Sequence, residues 1–480
     1  MVSWANPDSS AGQRDLHLDL RDALTPGTRG VRDELLTALR DSVRSGRLTP
    51  GTKLPPSRTL AGDLGLARNT VADVYAELVA EGWLASRQGA GTWVVASEHL
   101  TPAPGEPSQP RGAAAAPTHN FLPGSPDVSQ FPRTAWLTSV RRALHSAPTE
   151  ALRMGDPRGR PELRHAVAHY LARARGVRAT PEQVVITAGT RHAVEILARM
   201  FGPARPIAVE AYGLFIFRDC INATGGSTVP IGVDELGAAV ADLDTLKTPA
   251  ALVTPAHHFP HGVPLHPSRR TAIVDWAGRT DGYILEDDYD DEFRYDRQPV
   301  GALQSLDPSR VVYLGSTSKS LTPVLRLGWM VLPSRLVDAA VGSAGGHQWY
   351  VDGITQLTMA DFITAGNYDK HIRRMRNTYR RRRDTLTRRL APLAPAVTVT
   401  GLSAGLHLLL TLPAGAEPEL LRRAGEAGVG IAGLSRLRHP LAGNEIPRPD
   451  GVVVNFGTPG EHAFPHAVDA LCQVVADTLR

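Results

Sequence analysis

The run Ser97–Pro117, SEHLTPAPGEPSQPRGAAAAP, is rich in Pro, Ala and Ser and has no periodic apolar positions. Such a segment cannot bury enough apolar surface to order itself as a packed element, so it reads as a partly extended linker, 97–117. That constrains everything else: no single core spans the break, and each side must fold around its own. Residues 22–96 precede it and residues 118–480 follow, in a chain long enough for two or three domains.

The longer part alternates short apolar runs with amphipathic ones. The runs QVVITAG, PIAVEA, AALVTP, GYILEDD, RVVYLGS and RLGWMVLP read as buried strands, and the intervening segments read as helices. This alternation, over about 150–370, predicts an α/β fold with a mainly parallel sheet. From about 384 to 480 the order becomes helix, AVTVTGLSAGLHLLLTLP, helix, GVVVNFG, which predicts a small C-terminal α+β subdomain. Only Cys220 and Cys472 are present, which excludes a disulfide framework and a cysteine metal cluster. The N-terminal MVSWANPDSSAGQRDLHLDL has no apolar core of a signal peptide, and no run of about eighteen apolar residues occurs, so a cytoplasmic protein with no membrane partner is expected. A net charge of +4 does not by itself imply nucleic acid.

The shorter part predicts one amphipathic helix over Arg29–Arg47, a Pro-bearing turn, and a short helix capped by Ser57 and stopped by Gly65. A third helix carries Val71, Val74, Tyr75 and Leu78 on its inner face, and ASRQGAGTWVV reads as two strands around a Gly-rich turn. Helix, short helix, turn, helix and β-wing form the plan of a winged helix-turn-helix (α+β), which reads the major groove with the N-terminal residues of its last helix. Those are Arg68, Asn69 and Thr70, residue types that read base edges or clamp phosphates. The string LPPSRTLAGDLGLARNTVADVYAELVAEGWLASRQGAGTWV, Leu54–Val94, closely resembles the GntR-type DNA-binding domain. The resemblance implies that Arg58 and Arg68 grip phosphates or bases, that Asn69 and Thr70 sit at the groove, and that Arg87, Gln88 and Gly89 belong to the wing. Double-stranded promoter DNA is the implied partner.

Only four of the 52 basic residues are lysine, yet GSTSKSLTPVLRLGW places Lys319 at the exit of a buried strand. A lysine that forms a Schiff base must spend time neutral, which arginine cannot do. Hydroxyls from Ser316 to Thr322 and the fixed cation of Arg326 beside it suit a phosphorylated aldehyde, of which pyridoxal 5′-phosphate is the common one. Upstream, the apolar strand Tyr283–Leu285 runs into Glu286, Asp287, Asp288 and Tyr289, where a carboxylate would face the crevice of an open α/β sheet. Asp290, Asp291 and Glu292 read as a solvated acidic turn. Ala188-Gly189-Thr190 opens a helix, a ready phosphate site.

Residues from about Asn120 onward resemble the fold-type I, class I aminotransferases, a pyridoxal phosphate-dependent α/β fold. The resemblance implies that Gly189 and Thr190 hold the phosphate, Asp287 the ring nitrogen, Tyr289 the 3′-oxygen, and Ser316-Lys319 the Schiff-base motif, with Arg326 completing the phosphate grip. The order of winged domain, linker and aminotransferase-like domain resembles the MocR/GabR-type transcriptional regulators, as do EDDYDDEFRYD, HIRRMRNTYRRRRDTL and TPAHHFPHG. It implies a head-to-tail, domain-swapped homodimer that senses pyridoxal phosphate, or a small amine or amino-acid effector, through Lys319. The alternative is an active aminotransferase with a fused DNA-binding domain.

Departures bear on that choice. Leu214 stands where the family places an aromatic over the ring, with Tyr212, Phe215 and Phe217 as neighbours that could compensate. Val453 stands where it places a carboxylate-binding arginine, with Arg436 or Arg438 as substitutes. His257 and His258 have no carboxylate or cysteine at ligand spacing, so no metal is expected. The arginine-rich stretch 371–390 reads as a solvated, ion-paired helix.

Overall fold

The computed structural model describes residues 30–87, 89–95, 116–295, 300–345 and 351–479. Gln88 and most of the expected linker lie outside these described residues. They form two compact units, one on each side of residue 115.

In the first unit, α1 (Val31–Arg44), α2 (Ser57–Leu64) and α3 (Arg68–Ala80) surround a core that includes Leu35, Leu39, Leu60 and Leu84. Val71, Val74, Tyr75 and Leu78 of α3 are all buried in it, as their helical spacing predicts. Strands β1 (Lys53–Leu54), β2 (Leu84–Arg87) and β3 (Gly91–Val94) form an antiparallel sheet in the order β1-β3-β2. Ion pairs Arg32–Glu77 and Arg40–Glu81 tie α1 to the outer face of α3. Ser57 is the first helical residue of α2 rather than its cap; Pro56 takes the cap position, and no side chain caps there. Gly65 ends α2 with φ 69°, a left-handed turn that glycine adopts at little cost.

The second unit is built on a seven-stranded sheet. In chain order its strands are β4 (Val184–Thr187), β5 (Ile207–Glu210), β6 (Thr228–Ile231), β7 (Ala250–Val253), β8 (Tyr283–Asp287), β9 (Val311–Ser316) and β10 (Gly328–Val331). Their spatial order is β4-β10-β9-β8-β7-β5-β6, with β10 antiparallel to both neighbours and every other pair parallel. Alternate residues go to opposite faces: Val184 and Ile186 join one core, Val185 the other. Because both faces are covered, these strands read as continuous apolar runs. Toward the C-terminus the same unit carries a second, antiparallel sheet of β11 (Thr398–Thr400), β12 (His407–Thr411), β13 (Ala432–Gly433) and β14 (Gly451–Asn455), ordered β11-β12-β14-β13.

The arginine-rich segment lies on a helix (Asn367–Leu390), but it is not simply solvated: Arg382 is buried and donates to Asp127 at 2.7 Å and Glu461 at 2.8 Å. Arg374 and Arg376 spend hydrogen bonds on the carbonyls of Gln130 and Glu292. Guanidinium groups pin the helix to the rest of its unit.

Parallel strands share an edge at their carboxyl ends, where open α/β sheets form their ligand crevice. Thr187, Glu210, Asp287 and Ser316 end their strands there, and antiparallel β10 begins there, with Gly328 opposite both Ser316 and Thr187.

Candidate cofactor cavity and DNA-reading surface

A cavity of about 370 Å³ opens along that edge, within the range for small-molecule sites. Lys319, Asp287, Tyr289, Arg326, Ser316, Gly189 and Thr190 all line it, although they come from three segments spread between residues 189 and 326.

Lys319 follows β9 and is half-buried; its Nζ donates to the Gly124 carbonyl at 2.8 Å. Loss of surrounding water pulls its pKa below the usual lysine value, against the pull of Asp290 and Asp287. Ser316 Oγ accepts from the Ser318 amide at 3.4 Å and so shapes the turn. Arg326 is exposed and sits at φ 48°, ψ 48°, a left-handed conformation that costs a non-glycine residue on the order of 1–2 kcal/mol. Gly189 caps the helix α4 (Thr190–Phe201) at φ 98°, presenting a helix N-terminus to the cavity.

The carboxylates of the EDDYDDE run have separate tasks. Glu286 is buried and accepts from the Leu303 and Gln304 amides at 2.6 and 2.9 Å. Asp288 is buried against Arg175 and the Tyr313 hydroxyl, each at 2.7 Å. Asp287 is 5% exposed, faces the cavity, and its Oδ1 has no hydrogen-bond partner. Burial, then the neighbouring Asp288, pushes its pKa up to about 7. An orphaned buried acceptor is costly unless a donor arrives, and a protonated ring nitrogen is such a donor. The residues present therefore fit pyridoxal phosphate.

The acidic turn expected after Tyr289 is not solvated. Asp290 is 1% exposed and sits beside His257, whose Nδ1 lies 3.1 Å from Oδ1. Glu292 is half-buried and accepts from Tyr368 at 3.3 Å. The Asp291 side chain lies outside the described set. The fold thus brings His257 the carboxylate that linear spacing did not show. His257, Asp290 and His407 place potential ligand atoms within 4.8 Å of one another. Hydrogen bonds account for them: His257 with Asp290 and with the Tyr289 hydroxyl at 3.2 Å, His407 with the Pro260 carbonyl at 3.2 Å. Gly405, at φ 69°, makes room, since a Cβ there would collide with both His257 and Asp290.

Among the aromatic candidates, Phe217 lines the cavity beside Leu214, while Tyr212 is buried with its hydroxyl on the Pro447 carbonyl at 2.7 Å. Phe215 packs under the Arg436 guanidinium, 4.6 Å from its centroid. Arg438 donates to the carbonyls of Ala442, Gly443 and Ile446, and Val453 is buried inside β14. Sequence reasoning missed Glu210, Thr254, Phe259, Asp290, His407 and Asn455 in the cavity wall. Glu210 and Asn455 end apolar strands as Asp287 does, a signal that could have found them. Glu210 accepts from the Thr254 amide and hydroxyl, and burial pushes its pKa up to about 8.

On the first unit, Arg58, Arg68, Asn69, Arg87 and Gly89 are exposed and Thr70 half-exposed. Arg68, Asn69 and Thr70 form the first turn of α3, and Arg87 ends β2 in the wing. No ion pair to Arg58, Arg68 or Arg87 forms among the described residues, whereas Arg32 and Arg40 are spent on Glu77 and Glu81. Guanidinium groups left unpaired on an exposed surface are free for phosphates.

A helix-turn-helix with a wing is the plan of a DNA-binding unit, and a mixed sheet with its crevice at the strands' carboxyl edge is the plan of the class I and II aminotransferase fold. The chain belongs to both families: residues 32–94 match the bacterial regulatory proteins of the gntR family, and residues 125–435 match aminotransferase class I and II. It is a helix-turn-helix transcriptional regulator of the MocR type. It is 36% identical to the probable rhizopine catabolism regulatory protein MocR of Rhizobium meliloti, over 87% of this chain and 88% of that one. It is 33% identical to the pyridoxine biosynthesis transcriptional regulator PdxR of Corynebacterium glutamicum, over 96% and 98%. A kynurenine aminotransferase from Pyrococcus horikoshii shares the fold with a TM-score of 0.68 at 23% identity, covering 75% of this chain and 91% of that one.

Proposed function

We propose that the large unit holds pyridoxal 5′-phosphate at Lys319, and that occupation of the cavity alters promoter binding by the winged unit within a homodimer. The observation that carries this is the orphaned Oδ1 of Asp287 in one cavity with Lys319, Arg326 and the N-terminus of α4. When bound, the cofactor supplies an aldehyde carbon for an amine and a ring that draws electrons. Lys319, its pKa lowered by desolvation, offers the amine, and the Gly124 carbonyl orients its Nζ. Asp287 would keep a proton on the ring nitrogen. Gly189, Thr190 and Arg326 would hold the phosphate, and Tyr289 would bind the ring oxygen. On the winged unit, Arg68, Asn69 and Thr70 would enter the major groove, with Arg58 and Arg87 on phosphates and Gly89 at the wing tip.

The sensed molecule is the cofactor itself or an amine that reacts at the same carbon. In either case it must bind one arrangement of the protein better than another, or promoter affinity cannot change. The test is absorbance with a promoter-binding titration. Wild-type protein should gain a near-visible band with pyridoxal phosphate, Lys319→Ala should not, and ligand should shift promoter affinity in wild type only. Rapid, complete conversion of amino acids to keto acids, with promoter affinity indifferent to ligand, would instead mark an aminotransferase.

A further inference from the structure

Behind Tyr289 lies a buried pair with no direct part in holding the cofactor. Asp290, three residues past the end of β8, is 1% exposed and lines the cavity. His257, in the loop after β7, is 3% exposed, and its ring stacks on that of Tyr289 with 6.1 Å between centroids. One nitrogen of that ring, Nδ1, meets three oxygens: Asp290 Oδ1 at 3.1 Å, Asp290 Oδ2 at 3.2 Å and the Tyr289 hydroxyl at 3.2 Å.

A carboxylate only accepts, so Nδ1 carries the hydrogen and gives it to Asp290. A protonated Nδ1 cannot also accept, so the Tyr289 proton does not go to His257. Two destinations remain for it: the Asp290 carboxylate, near enough to bind it, and the cavity that Tyr289 lines. Burial, then Asp290, pushes the Tyr289 pKa well above the usual tyrosine value, so the proton stays on that oxygen. The hydrogen bond from His257 satisfies part of the carboxylate and weakens its claim on Tyr289. The other groups around the pair do not supply that bond. His407, at the start of β12, has its pKa pushed down to about 3 by burial and by His257, and burial takes His258 well below the usual histidine value, so both are neutral. Burial likewise keeps the proton on Tyr295. The remaining titrating groups that feel Asp290 are Lys319, Asp287 and Glu292.

We propose that His257 is a positioning residue for the cofactor: its Nδ1–H occupies Asp290, which leaves the Tyr289 hydroxyl free to donate to the ring oxygen. This rests on the cavity being the pyridoxal phosphate site. A donor on the ring oxygen withdraws negative charge from beside the Lys319 nitrogen, which then holds its proton less tightly. Asp290 acts on the same nitrogen in the opposite sense, as a nearby anion. Removing His257 and removing the Asp290 charge should therefore move that nitrogen in opposite directions, which a loss of packing alone would not do.

The test titrates with pH the Lys319-dependent near-visible band of full-length, cofactor-loaded protein. In His257→Leu, Tyr289 turns to Asp290 and the midpoint should rise by about one unit. His257→Asn, which puts an amide N–H close to the place of Nδ1, should restore most of the wild-type midpoint. Asp290→Asn should lower the midpoint, and adding His257→Leu to it should then change nothing, because no carboxylate is left to compete. An unchanged or lower midpoint in His257→Leu would overturn the proposal. So would an equal rise in the Asp290→Asn background, which would show His257 acting without the carboxylate. Should His257→Leu fail to fold, Asp290→Asn still decides: a midpoint that does not fall sinks the idea. If wild type forms no Lys319-dependent band, the cofactor reading itself fails, and this inference with it.

Discussion

The Asp287 carboxyl, with its folded pKa near 7, binds a proton more tightly in the folded chain than in the unfolded one. The stability it contributes is therefore present at low pH and is lost as pH rises from about 4 through about 7. A shift of about three units sets an upper bound of about 4 kcal/mol on that loss. A ring N–H would give the anion its partner and cancel the loss. Pyridoxal phosphate should therefore raise the melting temperature more at pH 8 than at pH 6, and Asp287→Asn should flatten that difference while weakening cofactor binding. Glu210 and Glu286, pushed up to about 8 and about 7, lose stability over a similar range, which is why the loaded and unloaded forms must be compared. A second prediction concerns Arg326. Arg326→Gly should relieve left-handed strain, leaving the unloaded protein as stable or up to about 1 kcal/mol more so, while cofactor affinity falls at least tenfold. A melt and a cofactor titration separate the two effects. The sequence made Lys319, Asp287 and Arg326 legible because each needs a residue type that nothing else could replace. It could not place Asp290, whose burial depends on a glycine 115 positions away leaving room for it.

At the level of elements, periodicity did most of the work. The inner face of α3 could be read residue by residue, because a helix with one dry side must repeat every three to four positions. The direction of β10 could not, since a buried strand shows the same apolar run whichever way it points. Pro56, not Ser57, holds the cap position of α2, because proline fixes its own φ and so takes the place that the serine is expected to fill. Two predictions belong here. Arg68→Ala, at the exposed start of α3, should weaken promoter binding at least tenfold and leave the cofactor band unchanged, as gel shift and absorbance would show. Gly405→Ala should drive a methyl into His257 and Asp290, costing about 1–3 kcal/mol by denaturant melt and displacing Tyr289 from the ring.

The molecule as a whole is two units with separate cores, on either side of residue 115. Heating should give two transitions, and pyridoxal phosphate should move only that of the larger unit; a single transition shifted as one would contradict this. Because β10 runs against its neighbours, the chain leaves the sheet at Ser316 and returns to the same edge at Gly328, with Lys319 and Arg326 on one short excursion between them. That excursion is a gauge. With pyridoxal phosphate held as proposed, it would measure the ligand from its reactive carbon at one jaw to its anionic end at the other, so an aldehyde trimmed of its phosphate should fill the reactive jaw alone and be released many times faster.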